Sequence, residues 1–330
     1  VFHDKRYDVL GVGTPLLDHL LSVSYAYLQT LSGKKYGMET ISYNEMVQLI
    51  EKSGSIPKLI AGGSSANTIK GLSALGRACA LTGKIGTDAN GEKVIEDLQD
   101  RKVIPLLHYS STPTAHVACL VTPDGKRTCR AYLGAAKEMT PENLVPKHFD
   151  YVKLVHIEGY SLLYPGLTRR AMELAKERKA LISFDLGSFE MVQTYKPLLE
   201  ELLKNYVDIA FANEDEVLAL TGFSDEKGAR LLQQLCPIAV VMRGKDGCVI
   251  ADPSGLTKCP AYPVEPIDTT GAGDLFASGF LHGYLAGKSL SECARWGALV
   301  ARAVVQVIGA EIPEENWAEI RQILDKDLSS

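Results

Sequence analysis

The sequence predicts an α/β fold built on a largely parallel sheet with helices on both faces. Two observations carry that reading. Short apolar runs of strand length alternate along the chain with amphipathic stretches of helix length. Two segments then break this rhythm, at about residues 14–60 and 108–135. They read as a small β-rich lid inserted twice into one α/β body that spans residues 1–330.

The elements follow in chain order. A strand over Tyr7–Val12 leads into the first irregular segment, which shows no clean strand–helix repeat. A helix over Asn67–Leu75, a strand over Ala78–Gly83 and a helix over Glu92–Asp100 restore the alternation. Next come two β-like runs, His116–Thr122 and Thr128–Leu133, around Pro123-Asp124-Gly125-Lys126. Asp-Gly between such runs is a hairpin turn signal. Strands at Leu154–Ile157, Leu181–Asp185, Ile209–Ala212 and Ile238–Met242 then alternate with helices at Leu167–Glu177 and Lys196–Lys204. A helix over Leu275–Leu285 closes the series, with Leu275, Phe276, Gly279, Phe280 and Gly283 three or four residues apart. Right-handed crossovers between parallel strands distribute the helices over both faces.

Composition narrows the function classes. With 330 residues the chain can bury a large core, and its 46% hydrophobic and 23% charged residues suit a water-soluble globular protein. A net charge of −5 without a basic block offers no electrostatic footprint for nucleic acid or an anionic membrane. No window approaches ~18 uncharged apolar residues, and the stretch from Val1 to Tyr7 lacks the apolar core of a signal segment. Seven cysteines without a CxxC pair point to reduced thiols in a cytoplasm rather than to a disulfide or zinc framework. Cys119 and Cys129 flank the expected hairpin and read as two strand thiols.

The chemistry concentrates in Asp268-Thr269-Thr270-Gly271-Ala272-Gly273-Asp274, directly ahead of the last helix. Glycines admit close approach of bare backbone to a ligand. The opening amides of a helix lack partners within it and carry partial positive charge, so they suit a phosphate or a developing phosphoryl anion. An aspartate fixed beside them can take a proton from an alcohol. Standard nucleotide motifs fail. Gly283-Tyr284-Leu285-Ala286-Gly287-Lys288-Ser289 has three residues between its glycines where a Walker A loop needs four, and it follows a helix; a helix C-terminal glycine explains it better. Gly11-Val12-Gly13 follows a strand, but Leu16 stands where a dinucleotide fingerprint needs its third glycine, which disfavours a nicotinamide enzyme.

Further candidates each carry two readings. Gly62-Gly63-Ser64-Ser65-Ala66-Asn67 presents amides and an asparagine to a polyol, or is a tight turn with a serine cap. Asn213-Glu214-Asp215-Glu216 ends a strand where ligands bind in α/β sheets and suits magnesium held through water; Asn213 and Glu216 also form a capping box. Asp18 can accept two hydroxyl hydrogen bonds from a ribose diol, or be a solvated loop residue. Arg127 and Arg130 can reach over a bound phosphate, or be solvated strand residues.

Together, the two glycine motifs and the Asn-Glu-Asp-Glu run resemble the ribokinase/PfkB carbohydrate-kinase family, from about Asp8 to Pro313. The adenosine-kinase branch is the most similar: Gly13-Thr14-Pro15-Leu16-Leu17-Asp18, Tyr206-Val207-Asp208-Ile209-Ala210-Phe211-Ala212-Asn213-Glu214 and Gly309-Ala310-Glu311-Ile312-Pro313 read like that branch. The resemblance implies a Rossmann-like, ribokinase-like three-layer α/β/α body with a β-sheet lid. It also implies ATP-dependent phosphorylation of a primary hydroxyl, foremost the 5′-hydroxyl of a purine nucleoside such as adenosine. Asp274 is then the general base. The amides of Gly271, Ala272 and Gly273 form the anion hole, and Arg127 closes over the reacting centre. Asp18, Thr14, Gly62, Gly63 and Asn67 take the acceptor. Asn213 and Glu216 place magnesium and its waters, while Thr270, Gly271, Gly273, Arg243, Gly244 and Gly247 line the nucleotide side. Many relatives also respond to a monovalent cation, often potassium, and exist as monomers or as homodimers through lid edges.

Three positions depart from the adenosine-kinase pattern. Thr14 replaces its usual asparagine. Glu158 replaces a small apolar residue and resembles a sugar-binding glutamate of ribokinases. Ser161 stands where a base-stacking phenylalanine is usual, leaving Tyr160 as the stacking candidate. A free-sugar kinase of ribokinase or fructokinase type is therefore the alternative acceptor reading. A non-catalytic nucleoside-binding protein on the same scaffold is the reading from another class.

Overall fold

The computed structural model describes residues 7–33, 35, 37–124 and 126–329. Val1 to Arg6 and Gly125 of the expected turn lie outside the described residues.

The strands, in chain order, are β1 (Val9–Val12), β2 (Leu16–Ser22), β3 (Met38–Thr40), β4 (Lys58–Gly62), β5 (Cys79–Gly86), β6 (Val103–Ser110), β7 (His116–Val121), β8 (Arg127–Tyr132), β9 (Leu154–Glu158), β10 (Leu181–Asp185), β11 (Ile209–Asn213), β12 (Ile238–Met242), β13 (Cys248–Asp252) and β14 (Gly255–Cys259). The helices are α1 (Tyr25–Thr30), α2 (Tyr43–Ser53), α3 (Ser64–Ala74), α4 (Ala89–Asp100), α5 (Leu167–Glu177), α6 (Phe189–Tyr206), α7 (Glu214–Thr221), α8 (Glu226–Gln233), α9 (Ala272–Leu285), α10 (Leu290–Val304) and α11 (Glu314–Ser329).

Nine strands form the main sheet in the order β14-β13-β12-β11-β10-β9-β1-β5-β6, parallel from β12 to β6 with an antiparallel edge of β13 and β14. Its strands bury both faces, so they read as continuous apolar runs. Successive residues still alternate. Leu10, Val155, Ala210 and Ala212 pack with α5 to α8 on one side. Val9, Leu154, Ile209 and Phe211 pack with α3, α4, α9 and α10 on the other. This is the three-layer α/β/α arrangement.

Both rhythm-breaking segments supply strands to a second sheet, in the order β3-β8-β7-β2-β4. Its outer core is Leu21, Leu28, Met46, Leu49 and Leu120, covered by α1 and α2. β6 runs on to Ser110 in the main sheet, so the second segment joins the small sheet only from His116.

Differences from the sequence expectations have local causes. α6 begins at Phe189 rather than at Lys196. Pro197 removes an amide from the helix interior, and non-helical Tyr195 marks the resulting kink. α9 begins three residues earlier than expected, at Ala272, because Gly271 takes a left-handed conformation and starts it. Gly287 at φ +75 ends the same helix, with the amide of Lys288 donating to the carbonyl of Gly283. The Walker-like heptapeptide is thus a helix terminus.

Candidate active site

Five strands of the main sheet end at one cleft of about 1040 Å³. Glu158, Asp185 and Asn213 are the last residues of β9, β10 and β11; Thr14 and Gly244 lie two residues beyond β1 and β12. Ligands in open α/β sheets bind at this carboxyl edge. β2, β7 and β8 of the small sheet, through Asp18, Val117 and Arg127, form the facing wall.

At one end the chain delivers backbone. Gly271 sits at φ +71, and a Cβ there would lie 2.5 Å from the Cβ of Ala310, so glycine is required on both counts. Asp268 fastens the approach: its Oδ1 accepts the Thr270 amide at 2.8 Å and its Oδ2 accepts the Gly309 amide at 2.7 Å. Arg127 of β8 forms an ion pair with Asp268, so the expected lid arginine joins the small sheet to this loop. The amides of Gly271 and Gly273 have no partner among the described residues. That of Ala272 donates to the carbonyl of Thr269 at 3.2 Å, which removes it from the expected anion hole.

Asp274, in the first turn of α9, is held by two donors from α3. Ser64 Oγ donates to its Oδ1 at 2.8 Å and Asn67 Nδ2 to its Oδ2 at 2.9 Å. Burial pushes its carboxyl up to about 6, against the pull of Asn67, Ser64 and Lys70. Oδ1 of Asn67 is buried and has no partner among the described residues. A buried acceptor of this kind costs ~1–3 kcal/mol unless something donates to it. It borders the cleft, where an acceptor hydroxyl can reach it.

Asp18 projects from β2 into the same cleft. Burial lifts its carboxyl to about 6; Lys70 and Arg127 pull it down and Asp274 pushes it up. Gly62 does not line the cleft. A Cβ there would stand 2.5 Å from Asp18 Oδ2, so Gly62 makes room for that carboxylate. Gly63, at φ +109, does line the cleft and lies against the carbonyl of Thr14.

The three departing positions receive distinct tasks. Fully buried Glu158 accepts the amide of Thr14 at 2.7 Å and that of Ser65 at 2.8 Å, so the expected sugar ligand fastens the β1–β2 loop to the start of α3. Burial, outweighing those bonds, raises it to about 7. The Thr14 hydroxyl is paired with that of Tyr164 at 2.9 Å. Ser161 turns away, donating to the Glu158 carbonyl. Tyr160 borders the cleft, but its hydroxyl lies under the influence of Ser188, Asp185 and Glu216, at the acidic end rather than beside Asp18.

Of the residues expected to face the nucleotide, Thr270, Gly244 and Gly247 line the cleft. Arg243 does not; it pairs with Glu214 at 3.4 Å. The capping box of α7 is present in full, with both ends of the Asn213 amide spent on Glu216. Beside it, Asp185 and Glu216 are nearly inaccessible. Burial raises both; Glu216 and then Asp274 push Asp185 up further, while Asp215 and Asp274 help to lift Glu216 to about 7. Sequence reasoning gave Asp185 no role. The available signal was a carboxylate closing a mostly apolar strand just ahead of Gly187. Among the described residues no three His, Cys, Asp or Glu side chains are grouped to hold a metal by themselves.

Residues 41–317 match the pfkB family carbohydrate kinases. A cytidine kinase from Thermococcus kodakarensis is 31% identical over 75% of this chain and 88% of its own. Adenosine kinase 1 of Arabidopsis thaliana is 27% identical over 93% of this chain and 96% of its own. The crystal structure of an adenosine kinase from Sinorhizobium meliloti superposes with a TM-score of 0.90 at 31% identity, covering 97% of this chain and all of that one. The cleft's glycine-bounded helix terminus and buried aspartate therefore sit in a ribokinase-like α/β fold, and the chain belongs to the pfkB carbohydrate-kinase family as an alcohol-acceptor phosphotransferase of its adenosine-kinase-like branch.

Proposed function

We propose that the chain transfers the γ-phosphoryl group of ATP to the 5′-hydroxyl of a nucleoside, foremost a purine nucleoside such as adenosine. The observation that carries this reading is the wall beside Asp18 and Asn67. Leu16, Met38, Val117, Ala131, Leu133 and Leu163 make it apolar. A free sugar carries hydroxyls all round and would leave some unpaired there. A nucleoside puts its diol at Asp18 and Asn67 and its flat base against the wall. In this reading the wall, not Tyr160, contacts the base.

Asp274 takes the hydroxyl proton as the oxygen attacks. The free amides at the start of α9 receive charge developing on the transferred group. The small sheet is the lid, and Arg127 is its link to the anion hole; closure positions the reactants and excludes water. The hard oxygens of Glu216 and Asp185 fit a divalent cation through water, since positive charge there relieves the repulsion that Glu216 and Asp274 exert on Asp185 and that Asp215 and Asp274 exert on Glu216. Asn213 fits less well because its side chain is spent in the cap. Magnesium bound with the nucleotide supplies charge that offsets the transferring phosphoryl.

The test is ATP turnover with magnesium, with and without potassium, against adenosine, inosine, guanosine, cytidine, ribose and fructose. Turnover on a nucleoside and none on ribose supports the proposal, and the preferred base sharpens it. Turnover on free sugars alone would replace it with the sugar-kinase alternative. Binding of nucleoside without ATP consumption would replace it with the non-catalytic one.

A further inference from the structure

Cys119 and Cys129 face each other across β7 and β8, and both border the cleft. Their sulfurs are 3.7 Å apart, and Cys119 Sγ lies 3.9 Å from Oδ1 of Asp18. All seven cysteines are free thiols. The amide of Thr122 donates to the carbonyl of Lys126 next to the turn, and that of Cys129 donates outward to Gly37. Alternation along an antiparallel ladder then makes Cys119 and Cys129 a non-hydrogen-bonded pair, whose Cα atoms approach to about 4.5 Å. That separation falls within the range a disulfide spans, about 4.4–6.8 Å.

We propose that this pair is a modification site: a cross-strand dithiol that a peroxide-class oxidant converts to a disulfide, weakening binding at the adjoining acceptor end. Cys129 is the entry point. It is the more exposed of the two, and Arg127 and Arg130 lie close enough to favour its thiolate. The Cys129 thiolate attacks one oxygen of hydrogen peroxide. The O–O bond breaks, an S–O bond forms and hydroxide leaves. The Cys119 sulfur then attacks that of Cys129. The S–S bond forms, the S–O bond breaks, and the departing hydroxide takes the Cys119 proton as water. Two thiols and one peroxide thus yield one disulfide and two waters. The sulfurs close from 3.7 Å to about 2 Å. Cys119 loses the proton it directs at Asp18, and β2, which carries Asp18, pairs directly with β7.

The site itself stands on geometry; its effect on the acceptor rests on the nucleoside-kinase reading, and mass measurement separates the two. The full-length protein is treated with hydrogen peroxide, digested without reductant and mapped. The expected product is a peptide pair joined through Cys119 and Cys129, lighter by two hydrogens, reversed by dithiothreitol and absent from C129S. The treated enzyme should show an acceptor KM raised ~5-fold or more with the ATP KM little changed. Oxidation that stops at sulfinic acid on Cys129, or that joins only the opposed Cys248 and Cys259, would overturn the site. A disulfide at Cys119–Cys129 with an unchanged acceptor KM would overturn its effect. Absence of turnover in the reduced enzyme would count against the kinase reading and leave the mapping result to decide the site.

Discussion

The two ends of the cleft are made of different material. The proposed phosphoryl end consists of helix-terminal amides, one clamping aspartate, Asp185 at the end of β10 and Glu216 in the turn of helix that follows β11, so a heptapeptide and two strand ends suffice. The acceptor end consists of side chains from β2, β7 and β8 with Leu163, brought together by pairing between segments about 100 residues apart. Under the proposed function, chemistry is set by local backbone, while acceptor choice is spread over long-range contacts. In that reading the same phosphoryl end can serve different acceptors, in keeping with a cytidine kinase and an adenosine kinase among the relatives.

The sharpest way to break this division is to mutate one end at a time. Asp274→Ala removes the proposed base and should lower kcat by at least ~10²-fold with ATP binding little changed. Wild-type turnover would place the base elsewhere. Asp18→Ala should act at the other end, raising the acceptor KM by ~10-fold or more while kcat and the ATP KM move less. If instead the ATP KM rose and the acceptor KM stayed constant, the two ends would not be separable as described.

Acidity tests whether the ends are nevertheless electrostatically joined. Asp274 and Asp18 are each lifted by burial to about 6; Asp274 lifts Asp18 further, and Lys70 pulls both down. Both carboxylates must be ionised for the reaction as proposed, so activity is lost as pH falls through about 6. Two protonations over the same range make log kcat/KM fall with a slope steeper than 1 just below pH 6. In Asp18→Asn the slope should fall to about 1 while the Asp274 step remains. A slope of 1 in the wild type would mean that only one of the two must be ionised.

The legibility of the molecule divides along the same line. Alternating apolar runs carry the main sheet because parallel strands are buried on both faces, and Leu167–Glu177 matches α5 at both ends. The aspartate and glycines of the phosphoryl end were readable because a tight turn, a helix start and an acid occur within seven residues. What escaped was set by contacts between distant residues. Arg243 belongs to Glu214. The Ala272 amide turns back to Thr269. Gly62 serves the Asp18 carboxylate rather than a ligand. The Asn213–Glu216 box was readable, while Asp185 beside it was not, because a single carboxylate at a strand end resembles any other until its neighbours are known.

The smallest expected effect concerns Glu158, which lies at the seam between the ends and accepts the amides of Thr14 in the β1–β2 loop and of Ser65 at the start of α3. Burial raises its carboxyl from 4.5 to about 7 on folding. A raised folded-state value means the folded chain binds this proton more tightly than the unfolded chain. Its contribution is therefore fully present below 4.5 and is lost as pH rises through about 7, amounting to about 3 kcal/mol across that window. Glu158→Gln cannot titrate, and its amide group can accept from only one of the two backbone donors, a loss of ~1–3 kcal/mol. The two effects oppose each other at pH 8, where the variant no longer bears the charge, and they separate toward pH 5. The stability of the wild type relative to Glu158→Gln, measured by urea unfolding, should therefore increase steadily as pH falls from 8 to 5. Comparing the two proteins removes the contributions of Asp18, Asp185, Glu216 and Asp274, whose values are shifted in the same direction. A difference independent of pH would show that Glu158 remains ionised throughout, making it a permanent charged staple between the acceptor loop and the helix that holds Asp274.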